Sequence, residues 1–197
     1  MKKGEATREH IIKKSAEIFN QQGYSGTSLN DIIRLTGIQK GGIYRHFSNK
    51  DEIAIAAYDY ASSVVGGHID AAVQSKATAC DQLLAYFEIY QNVTEHPPFI
   101  GGCPLLNTAI ESDDGHPALR KQAQVGLEAT LAALTKIIVE GIANGELRTD
   151  LNADALASFA LSALEGGIML SKLEGSNRHI QSNMAMFSAY LDQCCTK

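Results

Sequence analysis

The chain has 197 residues, 45% of them hydrophobic and 20% charged, with a net charge of −5. This is the composition of a soluble globular protein of one large or two small domains. No apolar stretch follows the charged N-terminus as in a signal peptide, no apolar run approaches the roughly 18 residues of a membrane helix, and Cys80, Cys103, Cys194 and Cys195 lack metal-ligand spacing. The reading is a cytoplasmic protein with reduced thiols, no metal, no cofactor and no membrane partner. The negative total hides an asymmetry. Residues 1–50 hold nine Lys or Arg against four acids, a net +5, and the remainder carries −10. A basic head on an acidic body suits a chain that meets a polyanion at one end.

Residues 1–6 read as a frayed polar arm. Ile11, Ile12, Ser15, Ala16 and Phe19 share one face of a first helix over about Thr7–Gln22, ended by Gly23. Ser28 is an N-cap signal, Asp31 three positions on closes a capping box, and Leu29, Ile32 and Ile33 supply an apolar face. Gly37 stops that helix at least conformational cost. Gln39–Phe47 reads as a second helix anchored by Ile43 and Phe47. Two short helices about a Gly-containing turn form a helix-turn-helix, whose second helix enters the DNA major groove. Gln39, Lys40, Tyr44, Arg45 and His46 form an outward face of donors for phosphates and base edges. Asn49 with Glu52 starts a third helix. Lys50 sits in its first turn, where the dipole disfavours a cation and an external phosphate would account for it.

That third helix reaches about Gln74, with Gly66-Gly67 as a bend point, and connects head to body. Ala79–Thr94 follows, closed by His96-Pro97-Pro98. The segment Phe99–Asp114 is the most unusual of the body: paired glycines at 101 and 102, Pro104 suited to a first helical turn, and Asn107 with Glu111 as a polar pair four apart on an otherwise apolar helix. Buried, such a pair needs a partner, in the protein or in a ligand. A long helix over about Ala118–Ala143 carries the stripe Leu127, Leu131, Leu134, Ile138 and Ile142. Two last helices span about Asn152–Leu173 and Asn177–Cys195. No strand-like alternation occurs, so the expected class is all-α, a three-helix DNA-binding domain over residues 1–50 and a helical ligand-binding and dimerisation domain over residues 51–197.

The order of these features resembles the TetR family of transcriptional repressors. Thr27-Ser28, Ile32, Gly37, Lys40-Gly41, Ile43-Tyr44, His46-Phe47 and Lys50 carry the resemblance, with the first helix from Ile11 to Phe19 and its end at Gly23-Tyr24. One position departs: Gly42 stands where the family commonly has Ser, Thr or Ala, which weakens the helix by roughly 1 kcal/mol against Ala. The resemblance implies a repressor that binds a palindromic double-stranded DNA operator as a homodimer and is released by a small organic inducer. Its DNA-binding residues would be Thr27, Ser28, Gln39, Lys40, Gly41, Tyr44, Arg45, His46 and Lys50. Phe87, Tyr90, Phe99, Cys103, Leu106, Asn107, Glu111, Leu131, Glu165 and Met169 are the candidates for the ligand pocket, each apolar one being equally suited to plain core packing. Cys103, at a helix start, is either an electrophile-sensing thiol or an inert buried one. Phe159, Ala163, Gly167, Met184, Phe187 and Leu191 are the candidates for the dimer contact. Two other classes are a helical protein-interaction module and an enzyme; the second has no H-E-x-x-H, phosphate loop or nucleophile elbow behind it. Activation in place of repression is also open.

Overall fold

The apolar periodicity becomes nine helices over the described residues, 3–196 of the computed structural model: α1 Lys3–Gly26, α2 Leu29–Thr36, α3 Lys40–Ile43, α4 Lys50–Gln74, α5 Ala79–Glu88, α6 Pro104–Ser112, α7 Pro117–Ala143, α8 Ala153–Glu174 and α9 Arg178–Cys194. The one bridge outside helices among the described residues pairs Leu147 with Cys195. The all-α expectation holds.

Several boundaries move. The frayed arm is helical from Lys3 onward, and the rest of it lies outside the described residues. Gly23 does not end α1 but kinks it, with φ 75 and ψ 171, and a further turn runs to Gly26. The second helix of the helix-turn-helix is a single turn, Lys40–Ile43, followed by turn residues in place of the nine-residue helix expected. Two of its four residues are glycine, and its N-cap, Gln39, makes no side-chain cap bond, so local propensity holds no second turn. Likewise α5 stops at Glu88. Leu127 lies 40% exposed, while Leu134, Ile137 and Ile138 carry the buried face of α7.

Two compact units interleave along the chain. The first comprises residues up to Val65 together with Phe99–Gly126, and the second Gly66–Pro98 together with residues from Leu127 onward. In the first, Ile11, Ile32, Ile43, Phe47 and Ile53 form a core that binds α1, α2, α3 and the start of α4 into one body. In the second, α8 packs on α9 and α9 on α5, with the Phe87 and Phe187 rings stacked at 5.1 Å. A Cβ on Gly167 would lie 3.0 Å from Ile180 Cδ1 and 3.1 Å from Ile180 Cα. The small residue therefore admits α9 of the same chain, and the expectation that Gly167, Phe187 and Leu191 meet a partner chain is corrected: all three are buried within the unit.

One exclusion also needs correcting. By length and composition α8 is apolar enough to cross a membrane, with a mean hydropathy of 1.3 over its best window. Its apolar residues divide, however, between an inner face of Leu156, Ala160, Leu164 and Ile168 and an outer row of Phe159, Met169, Leu170 and Leu173. The buried inner face packs within the unit, and the core helix of a soluble protein meets the same length and composition criterion.

Candidate nucleic-acid interface and the adjoining cavity

The helix-turn-helix is built from local signals. Ser28 Oγ accepts from Asp31 N while Asp31 Oδ2 accepts from Ser28 N at 3.0 Å, the capping box read from the sequence. Gly37, at φ 69, ends α2 and donates to Ile33 O at 2.9 Å. Ile43 and Phe47 are buried in the head core, which turns the intervening residues outward. Gln39, Lys40, Gly41, Tyr44 and Arg45 are exposed, and His46 is half-buried. Lys40 Nζ lies 5.9 Å from the Tyr44 ring centroid. These six residues form one donor-rich surface.

The remaining three expected DNA residues have internal work. Thr27 is buried and its hydroxyl donates to Gly23 O at 2.7 Å. Ser28 is exposed, but its hydroxyl is committed to Asp31. Lys50 Nζ donates to Tyr24 O and Thr27 O, both at 2.9 Å, and sits 3.8 Å from the Tyr24 ring centroid. The ammonium at this helix start thus finds acceptors in two carbonyl oxygens of the chain itself.

The kink at Gly23 explains the arrangement around it. Breaking α1 there creates a fresh helix start, whose first N–H groups have no intrahelical acceptor. Glu111 of α6 supplies one: Oε2 accepts from Tyr24 N at 2.6 Å and Oε1 from Ser25 N at 2.7 Å. The short turn from Tyr24 to Thr27 is held by a carboxylate at its start and by the Lys50 ammonium at its end, the two charges that complement its dipole. Gly23 has to be glycine, since a Cβ there would lie 2.6 Å from Glu111 Oε2 in addition to adopting a left-handed φ.

One turn earlier on α6, Asn107 Nδ2 donates toward Asn20 O, Asn20 Oδ1 and Gly101 O at 3.0, 3.1 and 3.0 Å. Asn20, buried on α1, in turn donates to Ile100 O at 2.7 Å and Gly102 O at 3.2 Å. The polar pair on α6 therefore finds its partners within the protein. Around it lies a cavity of about 110 Å³, lined by residues of α1, α4, α6 and the start of α7, among them Phe19, Ala57, Asn107, Glu111, Ser112 and His116. Ser112 is 1% exposed, and its hydroxyl meets no partner among the described residues.

Tyr24 and His116 close one end of the cavity. Their rings meet edge to face at 4.5 Å. The Tyr24 hydroxyl donates to Asp51 Oδ1, and burial, then that hydrogen bond, push its pKa up to about 12. The same bond, opposed by burial and aided by the contact with His116, holds the Asp51 carboxyl below its ordinary range. The Tyr24–Asp51 contact therefore contributes in full between the usual carboxylate range and the ordinary tyrosine range; it is lost as pH falls through the lowered Asp51 pKa and, on the alkaline side, as pH rises through about 12. His116 caps α7 by accepting from Leu119 N at Nδ1, and its Nε2 lies 3.5 Å from Asp51.

Of the ten expected pocket residues, Asn107 and Glu111 line this cavity. Phe99 and Cys103 are buried and Leu106 half-buried in the same unit. Phe87, Tyr90, Leu131, Glu165 and Met169 belong to the second unit. There Phe87 and Tyr90 are core, and Met169 is 44% exposed. The sequence does not mark Asn20, Ser112 or His116 as cavity residues, because an isolated polar residue on a helix, as at 20 and 112, gives no periodic signal and His116 stands in the turn before α7. Among the described residues no cluster of three or more His, Cys, Asp or Glu is placed to hold a metal ion.

Comparison with known proteins places this geometry. Residues 11–57 match the family described as bacterial regulatory proteins, tetR family, and residues 79–187 match the tetracyclin repressor-like C-terminal domain. The chain belongs to the TetR family of transcriptional regulators. A TetR transcriptional regulator from Chloroflexus aurantiacus J-10-FL is 36% identical over 99% of this chain and 98% of its own, with a TM-score of 0.94. The TetR-family regulator from Cytophaga hutchinsonii is 35% identical over 100% and 98%, with a TM-score of 0.95. The HTH-type transcriptional repressor DhaR of Mycobacterium sp. (strain GP1) is 26% identical over 85% of this chain and 83% of that protein. As a TetR-family member the chain is a transcriptional regulator with a DNA-binding helix-turn-helix, and the donor-rich surface of Gln39–His46 is its candidate DNA face.

Proposed function

We propose that this TetR-family regulator is a cytoplasmic repressor that binds an inverted-repeat operator as a homodimer and releases it when a small organic molecule acts on α6. In this reading residues 1–50 serve DNA and residues 51–197 serve ligand and dimer contact, a division by role rather than by compactness. The observation that carries the proposal is the reach of Glu111 to the Tyr24–Ser25 amides. The turn it caps leads directly into Ser28, the N-cap of α2. A displacement of α6 therefore alters the support of the helix-turn-helix itself. The cavity beside Asn107 and Glu111 gives such a molecule a place to act, and the Ser112 hydroxyl gives it a hydrogen-bonding partner. A ligand shifts DNA affinity only through differential binding to two arrangements of that contact.

Selection of bound sequences from a random duplex pool tests the DNA part. The recovered site is expected to be an inverted repeat with half-sites about 10 base pairs apart or a multiple. A single asymmetric half-site bound by one chain overturns it. On the recovered operator, Lys40→Ala should lower the slope of log affinity against log salt by about one unit, as loss of one phosphate contact does. Lys50→Ala should instead lower the melting temperature and leave the slope unchanged, because its ammonium bonds Tyr24 and Thr27. A reduced slope in Lys50→Ala would return that residue to the phosphate backbone.

The dimer is supported by the outer row of α8 and α9: Phe159, Met169, Leu170, Leu173, Met186 and Tyr190 are all exposed, Leu173 at 83% and Met186 at 71%. Leu173→Glu adds a charge to a side chain already in solvent, so the monomer should fold normally. It should raise the dimer dissociation constant at least tenfold, by placing an unpaired charge in an apolar interface. Sedimentation equilibrium reads the outcome, and an unchanged dimer moves the interface elsewhere.

A further inference from the structure

Two thiols from distant parts of the chain meet in the second unit. Cys80, in the first turn of α5, and Cys195, the C-cap of α9, hold their sulfurs 3.1 Å apart across 115 positions of sequence. The approach is fixed from both sides by one turn, Gly145–Arg148. Glu146 Oε2 accepts from Ala79 N at 2.7 Å, next to Cys80, and Glu146 O accepts from Thr196 N at 3.0 Å, next to Cys195. Leu147 pairs with Cys195, and Arg148 N donates to Cys194 O at 2.9 Å. The sulfurs therefore need to close by only about 1 Å to reach bonding distance. Both cysteines are partly exposed, whereas Cys103 and Cys194 are buried.

We infer that Cys80 and Cys195 form a reversible intramolecular disulfide when the protein meets a hydroperoxide. The Cys195 sulfur attacks the outer oxygen of the hydroperoxide. An S–O bond forms, the O–O bond breaks, and the departing alkoxide leaves as alcohol with the thiol proton. The Cys80 sulfur then attacks the resulting sulfenic sulfur. The S–S bond forms, the S–O bond breaks, and hydroxide leaves with the Cys80 proton as water. Two thiols lose two electrons and two protons, and the hydroperoxide is reduced to alcohol and water. Burial, and next the hydrogen bond to Cys195, push the Cys80 pKa up to about 12, so Cys80 stays a thiol in the reduced chain and the first attack falls to Cys195; the Cys195 contribution to that shift changes once its sulfur is oxidised. The neighbouring pair Cys194-Cys195 is a poor competitor, because Cα atoms one residue apart lie about 3.8 Å from each other, short of the usual disulfide span.

The test treats the reduced full chain with hydrogen peroxide. Thiol titration should fall from the four cysteines of the sequence to two, and the monomer mass should drop by about 2 Da. A non-reducing peptide map should join the peptides of Cys80 and Cys195, and dithiothreitol should reverse all three. The oxidised chain should melt roughly 5 °C or more higher, since the bond closes a long loop of the unfolded chain. Cys80→Ser and Cys195→Ser should each abolish the cross-link, and Cys103→Ser should leave it intact. Four surviving thiols, a sulfinic acid at either position, a Cys194-Cys195 bridge or a disulfide between two chains each overturn the assignment. Should a serine variant fail to fold, the peptide map of the unaltered chain decides alone.

Discussion

Gly101→Ala is expected to destabilise the first unit by about 3–5 kcal/mol. Gly101 adopts φ +91, and a Cβ there would lie 2.4 Å from Asn20 O and 2.7 Å from Asn20 C. The obstacle is backbone, not the movable end of a side chain. A left-handed alanine costs about 1–2 kcal/mol by itself. To clear Asn20 the chain has to withdraw by about 1 Å, into the range of ordinary carbon contacts. That withdrawal breaks the Asn107 bond to Gly101 O and weakens the Asn20 bonds to Ile100 O and Gly102 O, each worth about 0.5–1.5 kcal/mol. The expected fall in melting temperature is roughly 10 °C. Gly67→Ala provides the contrast: it lies inside α4 with no atom within 4 Å of the added Cβ. It should raise stability by up to about 1 kcal/mol through helix propensity. Thermal unfolding of the two variants, followed by circular dichroism, settles the matter; equal shifts would show that residues 100–102 do not wrap on α1.

What the sequence revealed about this region, and what it hid, follows the range of the interactions. Ser28, Asp31 and Gly37 act within four residues, so the boundaries of α2 were legible from residue types alone. The length of α3 was not, because Ile43 and Phe47 have helical spacing whether or not the intervening backbone is helical. Lys50 was correctly conspicuous as a cation at a helix start, yet its carbonyl partners at Tyr24 and Thr27 lie 26 and 23 positions away. Periodicity says nothing about such distances. Asn107 and Glu111 were conspicuous for the same reason, as polar groups needing partners. Their partners on α1 are 87 positions distant. Gly167 illustrates a different ambiguity. A small residue announces a close neighbour, but only three-dimensional structure tells that the neighbour is Ile180 of the same chain. Ser112 carried no signal at all, since one serine in an amphipathic helix is unexceptional until its burial is known.

Glu111→Leu is expected to have the larger functional effect. Leucine keeps an apolar stem and removes both acceptors, so the Tyr24 and Ser25 amides lose charge-assisted bonds of 2.6 and 2.7 Å. Such bonds contribute about 1.5–3 kcal/mol each when both groups are shielded from water. Ser25 is exposed and its amide regains water, whereas Tyr24 is half-buried, so the expected loss of stability is about 2–3 kcal/mol in total. The turn Tyr24–Thr27 then retains only the Lys50 end of its support, and the entry to α2 loosens. Operator affinity without ligand should fall roughly tenfold, equivalent to about 1.4 kcal/mol. Glu111→Gln, which keeps one acceptor oxygen and loses the charge, should fall between this variant and the unaltered chain. The decisive quantity is the ratio of operator affinities with and without inducer, which measures coupling between sites rather than either affinity. That ratio should collapse toward one in Glu111→Leu while the inducer still binds, because the contact that converts a shift of α6 into a shift of the helix-turn-helix is gone. Fluorescence anisotropy of labelled operator supplies the ratio, and calorimetry supplies inducer binding. An undiminished ratio in a folded Glu111→Leu protein would mean that the signal reaches the DNA face by another route.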